Sequence, residues 1–284
     1  MRGVAEYVMR GRRQALLVAV ITAAIPMFSW VSAAVVGLVV LRRGLRDGLN
    51  IMLAALVPGL FVAYYGEIMP AAALVGVTAL AWLLRSTNSW NLVLCAAAAM
   101  GLLLSAGLHT VGSNYLAGVE ALFAQVFQSM AVPAAENGAP ALTPPAAVDI
   151  AGMFGLVHSV TLVICLIIAR WWQAQLYNVG GFRLEFHALR LSPVQVVALM
   201  LVAASLLAMG PAFRLWAWVP LVPMLFSGLA LTHAMLAARG WGGWLGLFYA
   251  ALLLLPPIKQ FLVVLAAMDG WLDFRRRWLK PPGG

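Results

Sequence analysis

Runs of about 17 to 28 largely apolar residues follow one another from Gln14 to Asp269, each long enough to cross a hydrocarbon core about 30 Å thick. No other feature restricts the fold so strongly. In lipid the backbone must satisfy its own polar groups, so continuous apolar runs become helices. The residue-by-residue alternation of an outer-membrane barrel is absent. Only 10% of residues are charged and mean hydropathy is +0.95, which excludes a water-soluble domain of this length. The expected fold is all-α: a polytopic transmembrane helical bundle of about eight membrane helices, within a range of about seven to ten, with broken helices at both ends.

The basic residues orient this bundle. The chain has 18 Lys and Arg, yet none lies between Arg85 and Arg170. That stretch also holds the longest polar, Pro-rich segment, about 110–149. Lys and Arg concentrate on the cytoplasmic side of a membrane, so the desert marks the translocated face. The first apolar stretch, 14–41, carries Pro26 and Ser29-Trp30 at its centre. A single crossing there would put Arg42, Arg43 and Arg46 opposite the basic N-terminus. Two short helices meeting near Pro26 on the outer side avoid this. The same reasoning bends the last run, 243–268, into a hairpin at Pro256-Pro257, which keeps Arg275, Arg276, Arg277 and Lys280 inside. Every Lys and Arg except Arg214 and Lys259 then lies on the inner side. Both termini are expected in the cytoplasm, with the protein in a bacterial inner membrane. The N-terminal stretch is too long for the apolar core of a signal peptide and reads as retained.

Between these ends, spans are expected near 49–65, 70–84, 91–109, 150–169, 193–210 and 215–237, with an inner loop at 170–192. The whole of 1–284 reads as one integral membrane domain, with 110–149 inserted on the periplasmic face. Within the insertion, Leu116, Val119, Phe123 and Phe127 recur at helical spacing against Glu120, Gln125 and Gln128. This predicts an amphipathic helix over 111–131, followed by a Pro/Ala-rich linker over 132–148.

Ionisable groups in or beside the spans are the first functional candidates, because each is costly in hydrocarbon. Glu67, His109, His158 and Lys259 are placed toward the outside by this topology, where they would line a ligand pocket with Glu120 as its lid. The alternative has His158 bonded within the bundle and the others simply hydrated. His233 reads as packing, and Cys95 and Cys165 as small buried hydrophobes. Ala15, Ala19 and Ala23 recur every four residues, which lets another helix approach closely, in a partner protein or in this chain.

Two motifs belong to the inner face. Gly180-Gly181 permits a sharp turn, after which Phe182, Leu184 and Phe186 alternate with Arg183, Glu185 and His187, as in a short extended segment along the interface. Near the end, Asp269 and Asp273 stand beside Arg275, Arg276 and Arg277, a set suited to local salt bridging. There is no phosphate-cradling GxxxxGK[ST], no HExxH or CxxC, and no GxSxG. No catalytic residue, cofactor or metal is therefore expected. The net charge of +9 sits in small clusters beside apolar runs, which favours anionic lipid over nucleic acid.

The run Gly-Gly-Phe-Arg-Leu-Glu-Phe-His-Ala-Leu-Arg-Leu (180–191) and the ending Asp-Gly-Trp-Leu-Asp-Phe-Arg-Arg-Arg (269–277) resemble the YybS-like family of bacterial inner-membrane proteins. Glu6-Tyr7-Val8-Met9-Arg10-Gly11-Arg12 fits the same family, so the likeness covers nearly the whole chain. That family is distantly similar to the membrane-embedded substrate-binding subunits of energy-coupling-factor vitamin importers. Those subunits contact a coupling subunit through small residues spaced by four on their first helix, matched here by Ala15, Ala19 and Ala23. The resemblance implies a non-enzymatic protein that binds a small solute, serves transport and needs separate partner subunits. The spans after residue 150 and the long outer segment depart from the importer pattern. The alternative is a membrane scaffold or assembly protein of the cell envelope, acting through helix–helix contacts.

Overall fold

The structure is a computed structural model that describes residues 2–136 and 143–278. The chain opens with α1 (Arg2–Arg10) and α2 (Arg12–Ala23), turns through a 3₁₀ segment at Pro26–Phe28 and returns as α3 (Ser29–Arg43). Short connections lead to α4 (Leu45–Tyr64), α5 (Met69–Thr87) and α6 (Trp90–Thr110). Next come α7 (Ser113–Glu136), the longest helix α8 (Ala147–Tyr177), and the short α9 (Gly181–Ala188). α10 (Pro193–Ala208), α11 (Arg214–Trp218) and α12 (Val222–Ala238) follow, then α13 (Leu245–Leu254), α14 (Pro256–Leu272) and α15 (Phe274–Trp278). No strand occurs among the described residues. Five helical segments are long and apolar enough to cross a membrane, or up to eight if each of three bent pairs is one span. The fold is an all-α bundle of the membrane class.

Proline breaks the chain where the first apolar run needed it. Ile25 is extended, as a residue before proline prefers, and the helix restarts after Pro26. α2 and α3 then lie antiparallel, because Ser32 donates to the Ala19 carbonyl at 2.7 Å while Arg43 donates to the Met9 carbonyl at 3.0 Å. This hairpin buries Ala15, Ala19 and Ala23, which are 0–1% exposed. Of the two occupants the small-residue stripe allowed, a partner protein or this chain, the chain's own helices cover it. Spacing encodes a close approach but not the identity of the helix that makes it.

α8 is the centre of the bundle, with α3, α5 and α6 around it. Small residues set the distances. Gly37 on α3 faces Ala169, Gly76 on α5 faces Leu162, and Gly101 on α6 faces Gly155. A Cβ on Gly155 would collide with the Gly101 carbonyl and the Ser105 hydroxyl. Ser159 fastens the same crossing by donating to the Ala97 carbonyl at 2.9 Å. In lipid such close packing, rather than expulsion of water, holds helices together.

Two boundaries differ from the sequence-based expectation. α8 does not stop near 169 but continues to Tyr177, because Trp172 is buried and Arg42 lies 4.0 Å over the Tyr177 ring. α7 continues past Ala131 to Glu136, through Pro133. Of the expected Pro/Ala linker, residues 137–142 lie outside the described residues. The last apolar run breaks at Leu255–Pro256 as anticipated and bends there by 111°, turning back on itself without the full reversal of a closed hairpin.

Gly155→Val should lower the stability of the purified protein by at least about 1–3 kcal/mol, because backbone on α6 must move. Gly118→Val on α7, where the added carbon meets nothing within 4 Å, is the control. Thermal unfolding in detergent checks the pair, and equal midpoints for both variants would refute the close crossing.

Candidate functional site

The five side chains expected to form an outward pocket sit in separate local settings. Glu67 is exposed in the turn between α4 and α5, where Gly66 takes a positive φ of 98° and its carbonyl accepts from the Tyr115 hydroxyl at 3.0 Å. Burial, and secondarily the Glu67 carboxylate, push the Tyr115 phenol up from its ordinary value. His109 stands edge-on to Trp216 at 6.0 Å, and that indole donates to the Val148 carbonyl at 2.8 Å. Glu120 is half-buried on α7. His158 is buried within the bundle on α8, and its Nδ1 has no hydrogen-bond partner among the described residues. No hydrogen bond or ion pair joins any two of these groups among the described residues. Lys259 lines a cleft that it shares with Arg183 and His187. Its helix starts at the elbow, and α13 is only ten residues long, about 15 Å by rise, so the Pro-Pro break does not reach the far end of the bundle.

The opposite, basic end is more highly organised. Residues 182–187 are not extended but form α9, started by Gly180 in the left-handed region at φ 85°. In a helix Phe182 and Phe186 share one face, with ring centroids 5.7 Å apart, and Phe182 lies 6.0 Å from Trp90. Leu184, which an extended segment would have buried with them, is 73% exposed. Glu185 holds α9 down, accepting from Arg170 in a salt bridge and from the Trp90 indole at 3.3 Å. The C-terminal motif joins the same end. Asp269 accepts from Arg275 at 2.7 Å and from the Phe274 backbone at 2.9 Å, while Asp273 pairs with Arg190 at 2.8 Å. Burial pushes the Arg275 guanidinium down, and the Asp269 carboxylate opposes that shift.

A cleft of about 590 Å³ opens between α8, α9, α12, α13 and the start of α14. Val160, Ile164 and Ile167 of α8 form one wall, and Leu225 and Leu229 of α12 another. Phe182 and Phe186 also line it from α9, and Leu252 and Leu253 from α13. Against these apolar surfaces stand Arg183, His187, His233, Tyr249 and Lys259. His233 Nε2 and the Tyr249 hydroxyl are 2.7 Å apart, and His233 sits edge-on to Phe186 at 5.4 Å. Burial, with Arg183, His233 and Arg275 nearby, pushes the His187 imidazole down and disfavours its cation. Among the described residues no carboxylate lines the cleft, so its charged members are all basic.

The two inner-face motifs thus contribute Phe182, Arg183, Phe186 and His187 to the cleft, whereas Gly181, Glu185, Asp269, Asp273 and Arg275 position the elements around it. Sequence reasoning missed Tyr249 and took His233 for packing. One signal was present: the two residues lie eight positions before and after Trp241, in the Gly-rich turn between α12 and α13. Helices joined by a tight turn bring equidistant residues together. Among the described residues no group of three or more His, Cys, Asp or Glu is placed to hold a metal ion. No protein-family model matches the chain, and no curated protein or solved structure matches it.

Arg275 and Asp269, with side chains 11% and 1% exposed, form a buried pair. Removing one partner of such a pair strands the other charge and costs about 3–5 kcal/mol. Arg275→Gln should therefore destabilise strongly, and adding Asp269→Asn should recover part of the loss. Unfolding midpoints of the single and double variants check this. A double variant no better than the single one would show that the pair is not coupled.

Proposed function

We propose that this chain is a non-enzymatic integral protein of the bacterial inner membrane, belonging to the YybS-like family, that binds a small molecule within the bilayer and works with separate partner subunits. The cleft between α8, α9, α12 and α13 carries this reading. Its volume of about 590 Å³ is that of a small-molecule site, and its apolar walls with a few converging polar groups match such sites in composition. The binding place therefore moves from the outward groups to the basic end of the bundle. The resemblance to importer subunits supports a transport-related role. The burial of Ala15, Ala19 and Ala23 argues against a partner docking on that stripe.

Leu229→Trp, which fills the cleft, tests the reading. Native mass spectrometry of the purified protein should find a small molecule retained by the natural chain and missing from the variant. Identical adducts on both would overturn it. The proposed orientation has its own check: a reporter active only in the periplasm should work when fused near Asn137 and fail when fused after Gly284. Activity at Gly284 would overturn the cytoplasmic placement of the C-terminus.

A second reading, a membrane scaffold or assembly protein of the cell envelope, is favoured by one observation. Leu122, Val126 and Met130 form an exposed apolar stripe along α7, on a different side from Leu116, which is buried against the bundle. A photo-crosslinking residue at position 126 separates the outcomes, since protein adducts support a scaffold and lipid adducts support a helix resting on the bilayer.

A further inference from the structure

The cleft's charge pattern points to the chemistry of its occupant. Arg183 comes from α9 and Lys259 from α14, two elements separated by more than half the C-terminal part of the chain, yet both line one apolar cleft. Neither has an ion-pair partner among the described residues. Other arginines at this end do have one: Arg170 pairs with Glu185, Arg190 with Asp273, and Arg275 with Asp269. Carboxylates were thus available to this surface, and none was placed in the cleft. Cations bordering an apolar wall inside a bilayer are costly unless an anion neutralises them.

The walls supply the second half of the argument. Val160, Ile164 and Ile167 extend over seven residue steps of α8, about 10 Å by helical rise. That is about a third of the hydrocarbon thickness, deep enough for part of an alkyl chain and useless to a small hydrophilic anion. Polar groups of three kinds meet this wall: a guanidinium, an ammonium, and the His233–Tyr249 pair with His187 beside it. A guanidinium pairs with phosphate oxygens through parallel bonds, and an ammonium adds a point charge to the same group.

We infer that the cleft takes an amphipathic anion, a lipid-type molecule whose alkyl chain lies against Val160, Ile164, Ile167, Leu225 and Leu229 and whose phosphate head meets Arg183 and Lys259. This rests on the reading of the cleft as a small-molecule site and adds the class of ligand.

Thermal unfolding of the full-length protein in neutral detergent tests it with three probes at matched concentration: monododecyl phosphate, dodecanol and inorganic phosphate. Monododecyl phosphate should raise the midpoint by several degrees, and the other two should leave it unchanged. Lys259→Gln, on an exposed side chain, should raise the half-saturating concentration of monododecyl phosphate by about tenfold, the equivalent of about 1.4 kcal/mol. Arg183→Gln should do the same, whereas Arg12→Gln with Arg13→Gln, also exposed and outside the cleft, should leave the response intact. Equal stabilisation by dodecanol would overturn the anion while leaving a small-molecule cleft. Stabilisation by inorganic phosphate alone would overturn the amphiphile. Equal weakening by the Arg12 and Arg13 changes would reduce the effect to general charge attraction. If no probe acts and Leu229→Trp alters no bound adduct, the cleft reading itself falls.

Discussion

Every helix leaves its last carbonyls without intrahelical partners, and in a membrane protein water is not always there to take them. At the basic end of this bundle arginines do so. Arg43 donates to the Met9 carbonyl in the last turn of α1. Arg85, together with Gln173 at 3.2 Å, donates to the Leu41 carbonyl in the last turn of α3. Arg190 reaches the Asp269 and Gly270 carbonyls at the end of α14, at 3.0 and 2.8 Å. Each contact also sets a positive charge against the negative pole of a helix dipole. The basic residues from which an orientation is expected are therefore the same ones that finish its helices. One end of the bundle is tied by directional charged contacts, while the other is held by Leu116, Ile150, Trp216 and their apolar neighbours.

The cleft follows from that tying. α9 is pinned through Glu185 to Arg170 and Trp90, which fixes one wall. α12 and α14 lie against each other, Gly228 facing Leu262, which fixes the far side. α13 is left over. Proline at 256 removes a backbone donor and holds Leu255 extended, at φ −114° and ψ 100°, so α13 cannot continue into α14. The chain bends by 111° at this elbow. α13 touches α12 through Tyr249 and His233 and leaves a wedge behind it. A pair of prolines that a topology argument treats as a hairpin apex acts here as the device that opens a cavity.

The class of fold and the two breaks were legible because they depend on local chemistry: apolar run length, and proline within a run. The conformation of 182–187 was not. Phe-Arg-Leu-Glu-Phe-His satisfies a period of two, but its two phenylalanines are also four apart, and six residues cannot separate those patterns. Tertiary partners decided the matter, since only a helix brings Phe182 and Phe186 together against Trp90 and His233. How the outward groups are arranged was not legible for a related reason. Glu67, His109 and His158 can be assigned depths from their positions in helices, but depth says nothing about which way a helix is turned. Arg183 and Lys259 share a cleft across 76 positions of sequence, and no local pattern encodes that.

Exposed apolar surface means something different in this molecule than in a soluble one. Leu53, Val57 and Leu60 on α4, and Val194, Val197 and Leu201 on α10, are all exposed. In water such stripes would mark an interface. In a bilayer lipid tails cover them at no cost, and helices associate through small residues that permit close approach. Here the glycines that make such approaches, Gly37, Gly76, Gly101, Gly155 and Gly228, all face helices of the same chain. Neither the leucine stripes nor the tight crossings therefore single out a partner-binding face among the spanning helices. Under the proposed reading, selectivity resides where polar groups meet apolar walls without a partner of their own. Among the described residues Arg183 and Lys259 meet that condition together, and they meet it in one cleft.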